Sequence, residues 1–145
     1  MTEFLDLPFP AADDRSARAA SLRSRDAVQR GDKDAWLAIF ADDAVVQDPV
    51  GVSPLDETGQ GHHGKEAIAA FYDNVIAPNP IRMDVRSSHA GGDEVANVIR
   101  MTTTLPDGTK VLADLVAIYR VREDGLVQSL RAFWEFDQLQ FEAPA

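Results

Sequence analysis

The stretch Ala41–Gly51, ADDAVVQDPVG, holds three aspartates, and the third is the one that could do chemistry. Asp42 and Asp43 read as a solvated turn. Asp48 follows the β-prone run Ala44–Gln47 and, by the two-residue alternation of a strand, shares a face with Ala44 and Val46. A carboxylate on an apolar face is costly to keep charged, and desolvation raises its pKa. A raised carboxylate held against a ligand is suited to taking a proton from a weakly acidic carbon. Aspartate before proline also starts turns, so a plain turn role stands beside the chemical one.

Other residue types extend the list. Tyr72, Tyr119 and Ser24 carry hydroxyls. The Trp134 indole N–H can donate to a carboxylate. Arg100, on a strand face with Val98 and Thr102, could hold an acidic group at a pocket mouth. Each has an ordinary alternative: core packing for the tyrosines, a pocket wall for Trp134, a backbone-bonded helix serine for Ser24, a surface ion pair for Arg100. His62 and His63 raise metal binding. Adjacent side chains in an extended segment point apart, and no Cys/His/Asp set completes a ligand sphere, so neither metal nor cofactor is expected. The nearby GHHGK lacks the spacing of a phosphate loop.

These residues need elements to position them. Residues 1–12 read as an irregular arm, and Asp13 or Asp14 as the cap of a helix running to about Arg30, where Gly31 ends it. Asp32 caps a second helix, Lys33 to Phe40, with Trp36 and Phe40 turned inward. A strand covers Ala44 to Asp48. Pro49, Pro54 and four glycines make 49–64 a loop, expected to gate a pocket through its 52–63 part. A third helix runs from Lys65 to about Ile76. Strands follow at Ile81–Ser88, Glu94–Leu105, Thr109–Val121 and Leu126–Phe136, with turns at 106–108 and 123–125. The order predicts an α+β fold, one domain over 13–140 with a tail at 141–145, its helices on one side of a curved sheet.

Composition narrows the partners. The chain has 145 residues, 45% of them hydrophobic, enough for one real core. It has no cysteine, which excludes disulfides and thiolate chemistry and fits a cytoplasmic protein. A net charge of -10 argues against nucleic acid and against an anionic membrane surface. There is no membrane-spanning apolar run and no secretory leader pattern. Small apolar ligands remain.

WLAIFADDAVVQDPVG, then GHHGKEAIAAFYDNV, then LVQSLRAFW resemble the ketosteroid isomerases, within the NTF2-like or SnoaL-like superfamily, from about Ser24 to Trp134. The resemblance implies a conical half-barrel: a strongly bent, mostly antiparallel sheet around three helices, enclosing an apolar pocket. It implies Asp48 as the general base of a steroid delta-isomerase, no cofactor, and a steroid-like ligand. Counting from Asp48 puts Ser24 at the family's oxyanion tyrosine, and counting from Gly125 puts Ala117 at its protonated aspartic acid. The usual donors are therefore replaced, leaving Tyr72, Tyr119 or a water on Ser24 to polarise the ketone. The expected site is thus Asp48 and Tyr72 as catalytic groups, with Ser24, Phe40, Val98, Arg100, Ala117, Tyr119 and Trp134 around the ligand. Alternatives are a non-catalytic steroid or polycycle binder, another pocket enzyme of the dehydratase, cyclase or epoxide hydrolase type, or a protein-interaction module. The resemblance also implies a homodimer through the outer sheet face, where Leu112, Asp114, Val116 and Ile118 alternate.

Overall fold

Ser16 opens the first helix, α1, at Ala17–Arg30: its hydroxyl accepts the Ala19 N–H at 3.1 Å, satisfying a first-turn donor. The expected cap lay slightly early. Asp14 instead accepts the Ser16 N–H from outside the helix. Gly31 closes α1 at φ 68°, a left-handed turn that glycine takes without a Cβ clash. Asp32 caps α2, Lys33–Ala38, through the Ala35 N–H at 3.0 Å. This helix is shorter than expected because Phe40 already begins a strand. α3, Gly64–Phe71, widens into a π-type turn over Tyr72–Ile76.

The computed structural model describes residues 3–145; Met1 and Thr2 of the expected arm lie outside them. The rest of the arm has no regular element, yet it is tied down. The Leu5 N–H donates to the Val85 carbonyl at 2.7 Å, and Leu7 packs on the core.

Seven strands form the sheet: β1 Phe40–Gln47, β2 His62–His63, β3 Ile81–Gly91, β4 Glu94–Thr104, β5 Lys110–Val121, β6 Val127–Phe133 and β7 Gln140–Glu142. Their order is β2-β1-β6-β5-β4-β3, with β7 on the start of β5. Only β1 and β6 run parallel. The architecture is the expected α+β half-barrel, a curved, unclosed sheet around three helices. Among the described residues no helix is long and apolar enough to cross a membrane.

Three details differ from expectation. Asp42 and Asp43 sit inside β1, where the ladder to β6 slips between Phe40 and Val45 and turns both side chains to solvent. Strands β2 and β7 are too short to show alternation in the sequence, and residues read as a tail begin inside β7. The third detail is the phase of β4. Val95, Asn97 and Ile99 are buried against the helices, as are Leu115, Ala117 and Tyr119 on β5. Val98, Arg100 and Thr102 therefore face away from the concave side. Arg100 forms a bidentate pair with Asp114 across the outer face, at 2.9 and 2.8 Å.

Candidate active site

Alternation carries the chain from Ala44 and Val46, both fully buried, to Asp48 at the mouth end of β1. Beyond Gln47 the chain still tracks β6: the Val50 N–H donates to the Ala132 carbonyl at 2.8 Å. That keeps Asp48 beside Trp134, the residue just past β6. The Trp134 indole N–H donates to the Asp48 carboxylate at 2.6 Å. Asp48 retains some contact with cavity space, so it is only half-buried by exposure, but protein encloses it. Burial raises its pKa above the ordinary aspartate value of 3.8, and the Trp134 hydrogen bond and the nearby His62 ring offset part of that rise. His62 pairs with Val46 across β1 and β2 and packs on Phe71 at 4.8 Å between ring centroids. Its Nε2 is buried with no hydrogen-bond partner among the described residues.

A second polar group lies on the concave face. Tyr119 O–H donates to Ser24 Oγ at 2.8 Å, and the Trp36 indole N–H donates to the same oxygen at 3.0 Å. All three residues are at most 2% exposed. Burial pushes the Tyr119 phenol up to about 12, its bond to Ser24 works against that, and the Asp48 charge adds to it. The carboxylate and the phenol therefore share one low-dielectric space.

That space is a cavity of about 820 Å³, counting its open mouth. Asp48, Trp134, Ser24 and Tyr119 reach its wall, and Asp48 is the one carboxylate there among the described residues. The rest of the wall is largely apolar, including Val28, Phe71, Met83 and Leu115. An apolar lining and few converging polar groups are marks of a small-molecule site. Among the described residues no group of three or more His, Cys, Asp or Glu gathers to hold a metal.

A SnoaL-like domain model matches residues 22–130, most of the chain. The chain belongs to the SnoaL-like family. Within it, this SnoaL-like protein is 31% identical over 117 residues to the steroid delta-isomerase of Nocardioides simplex, covering 81% of this chain and 88% of that one. Its fold matches a Δ5-3-ketosteroid isomerase from a Mycobacterium species at TM-score 0.83 and 39% identity, over 87% of this chain and 98% of that one. It also matches RV0760c of Mycobacterium tuberculosis in complex with estradiol-17β-hemisuccinate, at TM-score 0.82 and 35% identity, covering 86% and 98% of the two chains. The chain is thus a ketosteroid-isomerase-like member of the family.

The SnoaL-like cavity gathers four of the residues singled out from sequence: Asp48, Trp134, Ser24 and Tyr119. The others lie elsewhere. Tyr72 sits behind Trp36, ring centroids 5.6 Å apart, and borders a separate cleft with Gly31 and Ala77. Phe40 is 1% exposed and packs edge-on against Trp36 at 4.7 Å, in the core rather than on the cavity wall. Ala117 faces inward but is covered. Val98 and Arg100 are on the opposite side of the sheet, and Met101 and Thr103 take the wall positions on β4.

Two contributors had no legible signal as site residues. Leu55 reaches the wall from the 49–64 loop and Leu139 from the turn before β7. The loop is held by Asp56, whose carboxylate accepts the Gly59 and Gly61 N–H groups at 3.1 and 2.7 Å. Gly61 crosses β1 so closely that a Cβ there would lie 2.7 Å from Gln47 Cγ, at a φ of 89°. A glycine-rich loop reads as turns; which leucine it presses inward depends on that crossing.

Proposed function

We propose that this protein is an isomerase that moves a proton within a flat, apolar, steroid-like ketone, with Asp48 as the general base. One observation carries the reading: a single carboxylate, raised by burial and oriented by an indole N–H, faces an apolar cavity that also holds a hydroxyl pair. The similarity to steroid isomerases supports the substrate class. In the proposed step Asp48 takes a proton from the carbon beside the ketone. The electron pair passes to the carbonyl oxygen, giving an enolate, and Asp48 returns the proton to a more distant carbon. Atoms balance and no cofactor is needed. A positioned base contributes about a hundredfold to ten-thousandfold in such a transfer.

The test is to mix the protein with a β,γ-unsaturated 3-ketosteroid and follow the absorbance of the conjugated enone. No increase over buffer, with the steroid demonstrably bound, would replace this reading by non-catalytic binding. One observation favours that second reading: the oxyanion side offers only neutral hydroxyls, and donors aimed at the developing charge are often the largest catalytic contribution.

The pH profile should carry the Asp48 signature. The base must be ionised, so kcat/KM falls on acidification, and it falls at a higher pH than an ordinary aspartate would set, because burial raises the group. Trp134→Phe removes a hydrogen bond that stabilises the ionised form, so the acid limb moves to still higher pH. A limb unmoved by this change would show that Trp134 does not tune the base.

The proposal includes a homodimer through the outer sheet face. Val98, Val116 and Phe133 adjoin across β4, β5 and β6 there, and Phe133 is 40% exposed. Sedimentation equilibrium should return twice the chain mass of 15.8 kDa. A monomer mass at micromolar concentration would remove this part.

A further inference from the structure

We infer that His62 is a positioning residue for Asp48: its ring, fixed beside the base, presents Nε2–H to the carboxylate as a second donor alongside the Trp134 indole. The inference rests for its purpose on the reading of Asp48 as the group that moves the proton; the contact itself is tested without turnover.

Strand pairing puts the two side chains together. β2 has only two residues, and adjacent side chains in extended backbone point apart. His63 turns outward, where its Nε2 donates to the Gln60 carbonyl at 2.8 Å. His62 turns inward with Val46, its partner across β1, and Val46 is fully buried. Asp48 lies two residues further along that face. Diagonal neighbours on one face of an antiparallel pair are about 7–8 Å apart, within reach of an aromatic side chain.

Both groups are short of a hydrogen bond. The Asp48 carboxylate accepts one bond among the described residues, from Trp134 at 2.6 Å, although two oxygens offer about four lone-pair sites. His62 Nε2 is sealed from bulk water and has no partner among the described residues, which is costly for a polar nitrogen. Phe71 packs on the ring at 4.8 Å between centroids and holds it there. The other charged or titratable groups nearby are already engaged. Asp56, on the loop before β2, also feels the ring, but its oxygens accept the Thr58 hydroxyl and the Gly59 and Gly61 N–H groups. Lys65, at the start of α3, gives its ammonium to the Leu37 carbonyl. Tyr119, on β5, donates to Ser24.

Nε2 can carry a hydrogen in the neutral ring and in the charged one, so the bond requires no change of charge at His62. The two groups stand apart in the structure, and catalytic hydrogen bonds in ligand-free proteins are often long and tighten when the site is engaged. A bond to a charged acceptor is shorter and stronger than a neutral one, so ionisation of Asp48 draws the donor in. The nearby His62 ring already offsets part of the upward push that burial gives Asp48. One donor leaves the carboxylate free to rotate about that bond. A second removes the freedom and keeps the base aligned for proton transfer.

The experiment follows the Asp48 carboxyl carbon and the His62 ring nitrogens by NMR across pH, with no steroid present. Asp48→Asn and His62→Gln assign the two signals. In the wild type the Nε2 signal should shift at the pH where the Asp48 carbon titrates, and Asp48→Asn should abolish that response. His62→Phe keeps a ring and removes the donor, so the Asp48 midpoint should move to higher pH, its acidity weakened about tenfold. His62→Gln keeps an N–H at similar reach and should restore most of the wild-type midpoint. Lost packing alone would admit water and move the midpoint down, the opposite sense. An unchanged or lowered midpoint in folded His62→Phe overturns the inference. If that variant does not fold, the wild type decides: an Nε2 signal blind to the ionisation of Asp48 overturns it. Coupled titration in a protein that isomerises no ketosteroid upholds the contact and overturns the proposed function. Isomerisation without coupling overturns the contact alone.

Discussion

Asp48→Asn is expected to slow isomerisation of a β,γ-unsaturated ketosteroid by about a thousandfold while changing steroid affinity only a few-fold. The amide matches the carboxylate in shape and can still accept the Trp134 N–H, now made at 2.6 Å, so the cavity keeps its wall. What it loses is the capacity to hold a proton between two carbons. Steady-state rates with a direct binding measurement separate the two effects, and near-wild-type turnover would remove Asp48 from the chemistry. Stability should move the other way. Burial raises the folded-state pKa of Asp48, so the folded protein binds its proton more tightly than the unfolded chain does. The ionised wild type is therefore progressively penalised as pH climbs from the unfolded value through the folded one. At neutral pH the asparagine variant escapes that penalty and should melt no lower than wild type. Below the ordinary aspartate range the advantage should vanish.

Phe40→Ala should have the opposite profile, a large stability loss with little change in ligand selectivity. Phe40 is 1% exposed and meets Trp36 edge-on, one layer behind the cavity. Deleting a buried phenylalanine ring costs about 3–5 kcal/mol, because the transfer energy is lost and a cavity remains. For a chain of this size the melting temperature falls by on the order of 10 °C. Differential scanning calorimetry reads the loss directly. A variant that melts like wild type but loses steroid affinity would return Phe40 to the cavity wall.

How much of this was legible in the sequence depended on whether a local pattern carried a phase. β1 announced Asp48 because Ala44 and Val46 fixed which face was apolar. β4 did not, since Val95, Val98, Ile99 and Met101 are apolar on both faces and alternation cannot tell the concave side from the convex. Arg100 was placed on the wrong side for that reason, and its partner Asp114 on β5 marks the outer face only once the strands are paired. Phe71 ends α3 and Tyr72 begins the π-type turn, about 100° further round the helix, and the apolar pattern does not say which of the two reaches the cavity. Phe71 reached it and Tyr72 turned behind Trp36. Tyr119 and Ser24 were named separately; their hydrogen bond joins residues 95 positions apart, beyond any local periodicity. The fold class was clearer, because helix caps, turn glycines and strand lengths are local matters.

The parallel seam between β1 and β6 has a consequence for how the molecule comes into being. Asp48 and the indole that steadies it are separated by 86 positions, and the strand that delivers the indole is the last long one to be made. As the chain leaves the ribosome, Asp48 emerges early and waits in water as an ordinary acid. It meets its hydrogen-bond partner only when almost the whole polypeptide has been released. A prematurely terminated product that stops before Val127 has no way to close that seam, and so cannot complete the cavity around Asp48.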